Sequence, residues 1–413
     1  MIANKQQSFS FSALKRVFAN PHKLYDELRA TDPIYFDELS QCWLVTGYAE
    51  VVAILEDERF TSDLGTYSPK SAMGWDTVQD TLTQSVFFKD GIEHQHANHY
   101  LLKHIAQTAK RLTSDIKTIV HQRFMTLAPE GSMDIVKDFA SAISFAVTLR
   151  VLGIDISEPQ KFKRFLGYSE TISDIASGFP VGNTQELANL ISFLREEVAQ
   201  KKQTPGEDLI SAFLAATDIF PDDEAVLSST LMILTAGHVT TKKLIGTGTA
   251  KILDRWPQLQ EEFLNNPALP KQICEEALRM SPPTRYIARW ARQDADLSEQ
   301  FPGNHHIRHG QKILLFLEAA NYDPRVFENP KEFNLAHRSV KHLTFGFGKH
   351  RCPGASIARI EAHASLQELL HLSHLEPDAD HPPSGIPTRF SGVFVPVPSP
   401  LILKNKHCVL TKA

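Results

Sequence analysis

The chain has no run of eighteen apolar residues and no apolar segment behind a basic start, so nothing in its 413 residues reads as a membrane span or secretory leader. A membrane anchor is therefore not expected, and a cytoplasmic location is. Its four cysteines, Cys42, Cys274, Cys352 and Cys408, are widely separated and form no C-x-x-C pair, which excludes a disulfide framework or a zinc site. No Pro/Gly/Ser linker, low-complexity tract or internal repeat divides the chain. One domain over residues 1–413 is expected, although the length alone would allow two or three. Excess positive charge is missing too: Lys and Arg number 43 against 48 Asp and Glu, a net charge of −5, which argues against a nucleic-acid binder. What is present is ordinary for a soluble globular protein, 42% hydrophobic and 22% charged.

Residues 345–361 read FGFGKHRCPGASIARIE. They place Cys352 between a glycine-rich aromatic loop and the first turn of a helix. Gly346, Gly348 and Gly354 let backbone approach closely and permit φ > 0. Backbone N–H groups at a helix start stabilise an anionic sulfur and lower its pKa. A buried structural cysteine after a glycine turn is the bland alternative. Phe345, Gly348, His350, Cys352 and Gly354 together match F-x-x-G-x-[HR]-x-C-x-G, and that weighs against it. The stretch resembles the haem-ligand loop of the cytochromes P450, and Ala358, Arg359 and Glu361 fit the helix side of the same pattern. The resemblance implies Cys352 as the proximal thiolate ligand of haem b, a ligand that pushes electron density onto iron and favours O–O cleavage.

Other segments fit the same family. Glu276-Ala277-Leu278-Arg279 resembles its E-x-x-R, whose i, i+3 spacing puts both charges on one helix face. By chance alone such a pair is a solvated salt bridge; the resemblance implies a buried ion-pair network completed downstream. Ungapped counting puts His337 at the third position, but Arg338 is favoured because a buried carboxylate needs a strong bidentate partner. Residues 224–254 resemble the long helix crossing the distal haem face. Ala236-Gly237-His238-Val239-Thr240-Thr241 follows A-G-x-[DE]-T-[TS] with Val239 at the acid position. Ala236, Gly237, Val239 and Thr240 are the implied catalytic segment, with Thr240 in the hydroxyl role. The bland reading of Thr240 is a threonine bonding back to its i−4 carbonyl. His238 reads as packing or surface.

Haem propionates need donors where they are buried. The resemblance implies His94, in DGIEH, Arg289, in R-x-A, and His342 and His350 beside the glycine loop. Asn98 replaces the arginine usual in this helix and can hydrogen-bond a propionate without pairing with it. Lys349, Arg351, Arg359 and Lys103 are candidates for a basic docking patch, and a solvated face explains them equally. Family positions also imply substrate contacts: Ile233, Arg285, Tyr286, Ile287 and Val393, with the 62–88 loop and the region of 175–185. A mainly α fold with a small β region follows from the resemblance, which covers about residues 12–404. It includes a helix over 21–30, a hairpin over 33–47, a helix over 49–57 and a strand over 312–318.

The activity so implied is that of a bacterial-type haem-thiolate monooxygenase, drawing on dioxygen and two external electrons, with hydroxylation or epoxidation of a small organic molecule of secondary metabolism. No flavin or iron–sulfur motif is present, so NAD(P)H electrons are expected through ferredoxin and ferredoxin reductase. The substrate is expected free or carrier-protein-bound, and the protein monomeric. Val239 keeps open an atypical oxidation such as oxidative coupling, ring formation or peroxide-driven turnover. A non-catalytic haem sensor or carrier is the reading of another class, and the intact Thr240 and Cys352 loop weigh against it.

Overall fold

The computed structural model describes residues 21–63, 85, 89–168, 171–172, 184–336, 341–372, 376–377 and 401–404. The chain opens with α1 (Pro21–Thr31), β1 (Ile34–Asp37), β2 (Cys42–Val45), α2 (Tyr48–Glu56) and β3 (Phe60–Thr61). A helical series follows: α3 (Gly91–Leu127), β4 (Ser132–Asp134), a π-helical turn at Ile135–Ala140, α4 (Ser141–Leu152), α5 (Pro159–Gly167) and α6 (Thr184–Gln203). It continues through α7 (Leu209–Ala215), α8 (Asp223–Ile252), α9 (Trp256–Asn265) and α10 (Leu269–Met280). Next come β5 (Ile287–Ala291), β6 (Ala295–Asp296), β7 (His306–Ile307), β8 (Lys312–Leu315), α11 (Leu317–Ala320), α12 (Ala355–Leu370), β9 (Glu376–Pro377) and β10 (Ile402–Lys404). The architecture is mainly helical with a small β region, as expected.

The position of α8 follows from its sequence. Asp222 caps it by accepting from the Ala225 amide at 2.8 Å, and Asp223 and Glu224 lie in its first turn, where the helix dipole favours negative charge. Its apolar residues cover most of its circumference, which makes it a core helix. Thr230, Thr235, Thr247 and Thr249 satisfy their hydroxyls on the i−4 carbonyls at 2.8–2.9 Å, so none carries an unmet polar group into the interior. Helices α4, α6, α10 and α12 pack on it. A Cβ at Gly237 would stand 2.7 Å from the Thr148 hydroxyl of α4, so glycine is what allows these two helices to approach.

The main sheet has the order β1-β2-β8-β5-β3, with β2 and β8 parallel and the other pairs antiparallel. Arg289 sits opposite Ile313 and Ile287 opposite Leu315. Alternation along β5 puts Ile287 and Arg289 on one face. The expected strand over 312–318 stops at Leu315, because Glu318 turns inward to meet the Arg285 guanidinium at 2.8 Å and the Tyr25 hydroxyl at 3.2 Å. No helix among the described residues is long and apolar enough to cross a membrane.

Candidate active site

The Cys352 loop is held by backbone geometry. Gly346 and Gly348 have φ of 68° and 66°, a left-handed conformation that a side chain would strain. The Cys352 amide donates to the Phe345 carbonyl at 2.8 Å, and the Gly346 amide to the Leu343 carbonyl at 2.8 Å. These bonds turn the sulfur toward the start of α12. Burial raises the Cys352 thiol, while the Gly354 and Ala355 amides and the charges of Arg359 and Arg351 pull the other way. The sulfur is thus surrounded by groups that favour its anion. Ala358, half-buried on α12, donates its amide to the Gly354 carbonyl at 3.0 Å.

A second cluster lies at the start of α3. The His94 and His350 rings stack at 3.8 Å between centroids, and His350 Nε2 lies 2.7 Å from Asp90 Oδ1. Burial and the nearby His350 lower the His94 pKa to about 4. Burial alone would raise the Asp90 carboxyl, but the His350 and Thr61 hydrogen bonds hold it well below the usual range. Arg289 is 6% exposed, and burial brings its pKa down to about 10. Among the described residues its guanidinium hydrogen-bonds only the Ala288 carbonyl, at 2.8 Å, with no carboxylate at ion-pair distance. A desolvated guanidinium of this kind calls for an anion.

Three of the four expected propionate donors therefore come together, and His342 does not. Its Nε2 meets Glu275 at 3.2 Å and its Nδ1 accepts from the Thr344 amide at 3.4 Å. Arg359 is bound to the same carboxylate at 2.6 and 2.9 Å and stacks over Phe345 at 4.5 Å. Burial would raise Glu275, yet its bonds to His342 and Arg359 bring it down to about 2. Both residues are thus fixed beneath the Cys352 loop, and Arg359 leaves the expected docking patch. Lys349 is exposed and paired with Glu58 at the surface. Asn98 donates its side-chain amide to the Lys349 carbonyl and so ties α3 to the loop.

On α8, Ala236 is exposed and Ile233, Gly237 and Thr240 are partly so. Thr240 bonds back to the Ala236 carbonyl at 2.6 Å, as the bland reading had it; its position on the open face distinguishes it from the other threonines. Val239 is 1% exposed and packed in the core, so it does not line this face as the catalytic assignment expected. His238 is fully buried, 2.9 Å from the Ser144 hydroxyl and against Phe145. It is a packing residue.

Glu276 and Arg279 form the expected buried pair, bidentate at 2.9 and 2.6 Å. Arg279 also donates to the Asn321, Pro330 and Glu332 carbonyls, and Glu276 accepts from the Asn334 amide at 2.9 Å. His337, Arg338 and Val393 lie outside the described residues, as do most of the 62–88 loop and most of 175–185. Arg285 is buried and meets Glu318, and Tyr286 is buried against Phe316 with ring centroids 5.5 Å apart. Ile287 remains half-buried at the head of β5. Sequence reasoning missed Asp90, although it lies inside the quoted DGIEH stretch, and Glu275, which adjoins the E-x-x-R motif.

The site thus joins a thiol ringed by amides and cations to a buried guanidinium with no carboxylate partner among the described residues, a donor set that fits an iron macrocycle with acidic side chains. The family model for cytochrome P450 matches residues 19–404. The biotin biosynthesis cytochrome P450 of Bacillus subtilis (strain 168) is 30% identical over 374 residues, 87% of this chain and 91% of the relative. The polyketide biosynthesis cytochrome P450 PksS of the same organism is 27% identical, over 86% of this chain and 89% of that one. A solved structure of P450BioI in complex with hexadec-9Z-enoic acid ligated acyl carrier protein has a TM-score of 0.79 and 26% identity, covering 94% of this chain and 99% of that chain. CYP109E1 from Bacillus megaterium, substrate-free, shares the fold with a TM-score of 0.80, covering 94% and 99%, at 24% identity.

The chain belongs to the cytochrome P450 family. It is a monooxygenase of the bacterial kind, an oxidoreductase whose family carries thiolate-bound haem and acts on dioxygen.

Proposed function

We propose that the protein inserts one atom of dioxygen into a small organic molecule of secondary metabolism, by hydroxylation or epoxidation, with NAD(P)H electrons delivered through ferredoxin and ferredoxin reductase. Cys352 would be the proximal ligand, with Arg289, His94 and His350 holding the propionates and the Ala236–Thr240 face lining the distal side. Haem supplies the oxygen chemistry when bound. The chain's own residues fix the sulfur, neutralise acidic groups, and present Thr240 as a hydroxyl beside bound substrate. The observation that carries the reading is the Cys352 sulfur between the Gly354 and Ala355 amides. The relative solved with an acyl carrier protein supports considering a carrier-bound substrate.

Val239 favours a second reading. An acid normally stands at this position, and valine cannot relay a proton, so an atypical oxidation such as ring formation or peroxide use is the alternative. The experiment is turnover of haem-loaded protein with ferredoxin, reductase, NAD(P)H and isotopically labelled dioxygen, on ligands that shift the Soret band. One labelled oxygen in the product supports insertion. Oxidation without label points to the atypical reactions, and no oxidation at all, despite reduction of the iron, points to a sensor or carrier.

A further inference from the structure

Helices α10 and α12 pack together and bring Cys274, Glu275 and His363 to one place. The Cys274 sulfur, a Glu275 carboxylate oxygen and a His363 ring nitrogen all lie within 4.8 Å of one another. Cys274 is fully buried, His363 is half-buried and the Glu275 side chain is 42% exposed, so the cluster opens to solvent on its carboxylate side. His363 Nε2 is buried and makes no hydrogen bond among the described residues, an unmet polar atom of a kind that is rare in interiors. Burial lowers the His363 pKa to about 4, so at neutral pH the ring is in the neutral form that ligates metal. Glu275 is only partly used. Arg359 donates one N–H to each of its oxygens and His342 meets Oε2, whereas a carboxylate has about four lone-pair sites.

We propose that Cys274, Glu275 and His363 form a binding site for one divalent ion of the zinc class, which ties α10 to α12. Thiolate, imidazole and carboxylate are the donors zinc takes, and a cysteine in the set disfavours magnesium and calcium. Water from the open side completes a four-coordinate shell. The absence of C-x-x-C pairs excludes a site built on paired cysteines; this one needs a single cysteine, and its histidine comes from another helix, which no local spacing announces. None of the three donors belongs to the haem site proposed above, so the two readings stand separately. Burial raises the Cys274 thiol, so the sulfur enters protonated and its proton leaves to solvent as the metal–sulfur bond forms. Thiolate and carboxylate then balance the charge of the ion. Arg359 and the exposed Lys271 are the cations that act on His363, and they oppose the ion.

The test is equilibrium dialysis of tag-free, haem-loaded protein against Zn2+ alone, with the metal counted by mass spectrometry and the binding followed by calorimetry in buffers of different ionisation enthalpy. The wild type should hold one zinc per chain and release one proton as it binds. Removing even a hydrogen-bond partner of a ligand costs about 10–100-fold in affinity, so Cys274→Ala and His363→Ala should each bind at least about tenfold more weakly. Cys274→Ala should also release no proton. His96→Ala, which removes an exposed histidine of α3, should bind as the wild type does. Should Cys274→Ala fail to fold, the half-buried His363→Ala and the proton count of the wild type decide the matter. Zinc lost on dialysis, zinc bound without proton release, or zinc held as tightly by Cys274→Ala or by His363→Ala would overturn the site, the last of these marking adventitious binding at surface histidines.

Discussion

Arg289 and His342 occupy equivalent standing in the motif pattern and opposite ones in space. Arg289 is buried with a backbone carbonyl as its hydrogen-bond partner; His342 is already bound to Glu275. Hydrogen bonds to charged groups contribute roughly 1.5–3 kcal/mol, so Arg289→Ala should speed haem transfer to apomyoglobin by about tenfold or more. His342→Ala should change it by less than about threefold on the same energy scale. Equal rates for the two variants would return His342 to the propionates. Val239 gives a second expectation. With valine at the motif's acid position, a hydrocarbon substrate should release much of its reducing power as peroxide, measured as peroxide formed per NAD(P)H consumed. Near-complete coupling would remove Val239 from the account. Val239→Glu should not restore coupling, because its carboxylate would be buried in the core, a placement that costs several kcal/mol.

At the scale of elements, the contact between α8 and α4 depends on Gly237 facing Thr148. Alanine gains about 1 kcal/mol in helix propensity over glycine, and overpacking costs about 1–3 kcal/mol. Gly237→Ala should therefore be neutral or destabilising in the wild type, and stabilising by up to about 1 kcal/mol in a Thr148→Ala background. Urea melts of the four proteins give the coupling, and additive effects would mean the helices are not in contact there. In α10, Glu276→Ala leaves the Arg279 guanidinium buried without its carboxylate, at a cost of about 3–5 kcal/mol. Little folded, haem-loaded protein should result, and full haem incorporation would show the pair to be dispensable. The elements legible in the sequence were those whose signals are contiguous: the glycine loop before α12, the E-x-x-R turn of α10, the hairpin and α8. What the sequence did not show were the partners of His342, Arg359 and Arg285, each a carboxylate distant in sequence. Glu275 lies 67 and 84 positions from the first two. A motif fixes a residue's place on its own element and says nothing of which acid another element brings to it.

At the scale of the whole molecule, the fold sets a helix start and a glycine loop under the sulfur, a buried cation on β5 beside the α3 histidines, and an open face on α8. Each is supplied by a different part of the chain, and a thiolate-bound haem, the group this family carries, would give them a common purpose. The decisive measurement is the ferrous–CO spectrum of the wild type and of Cys352→Ala, each reconstituted with haem. The wild type should show the red-shifted Soret band of thiolate ligation, and Cys352→Ala should lose it while keeping the same helical content by circular dichroism. A red-shifted band that persists in Cys352→Ala would contradict the assignment of the ligand and, with it, the account of the site.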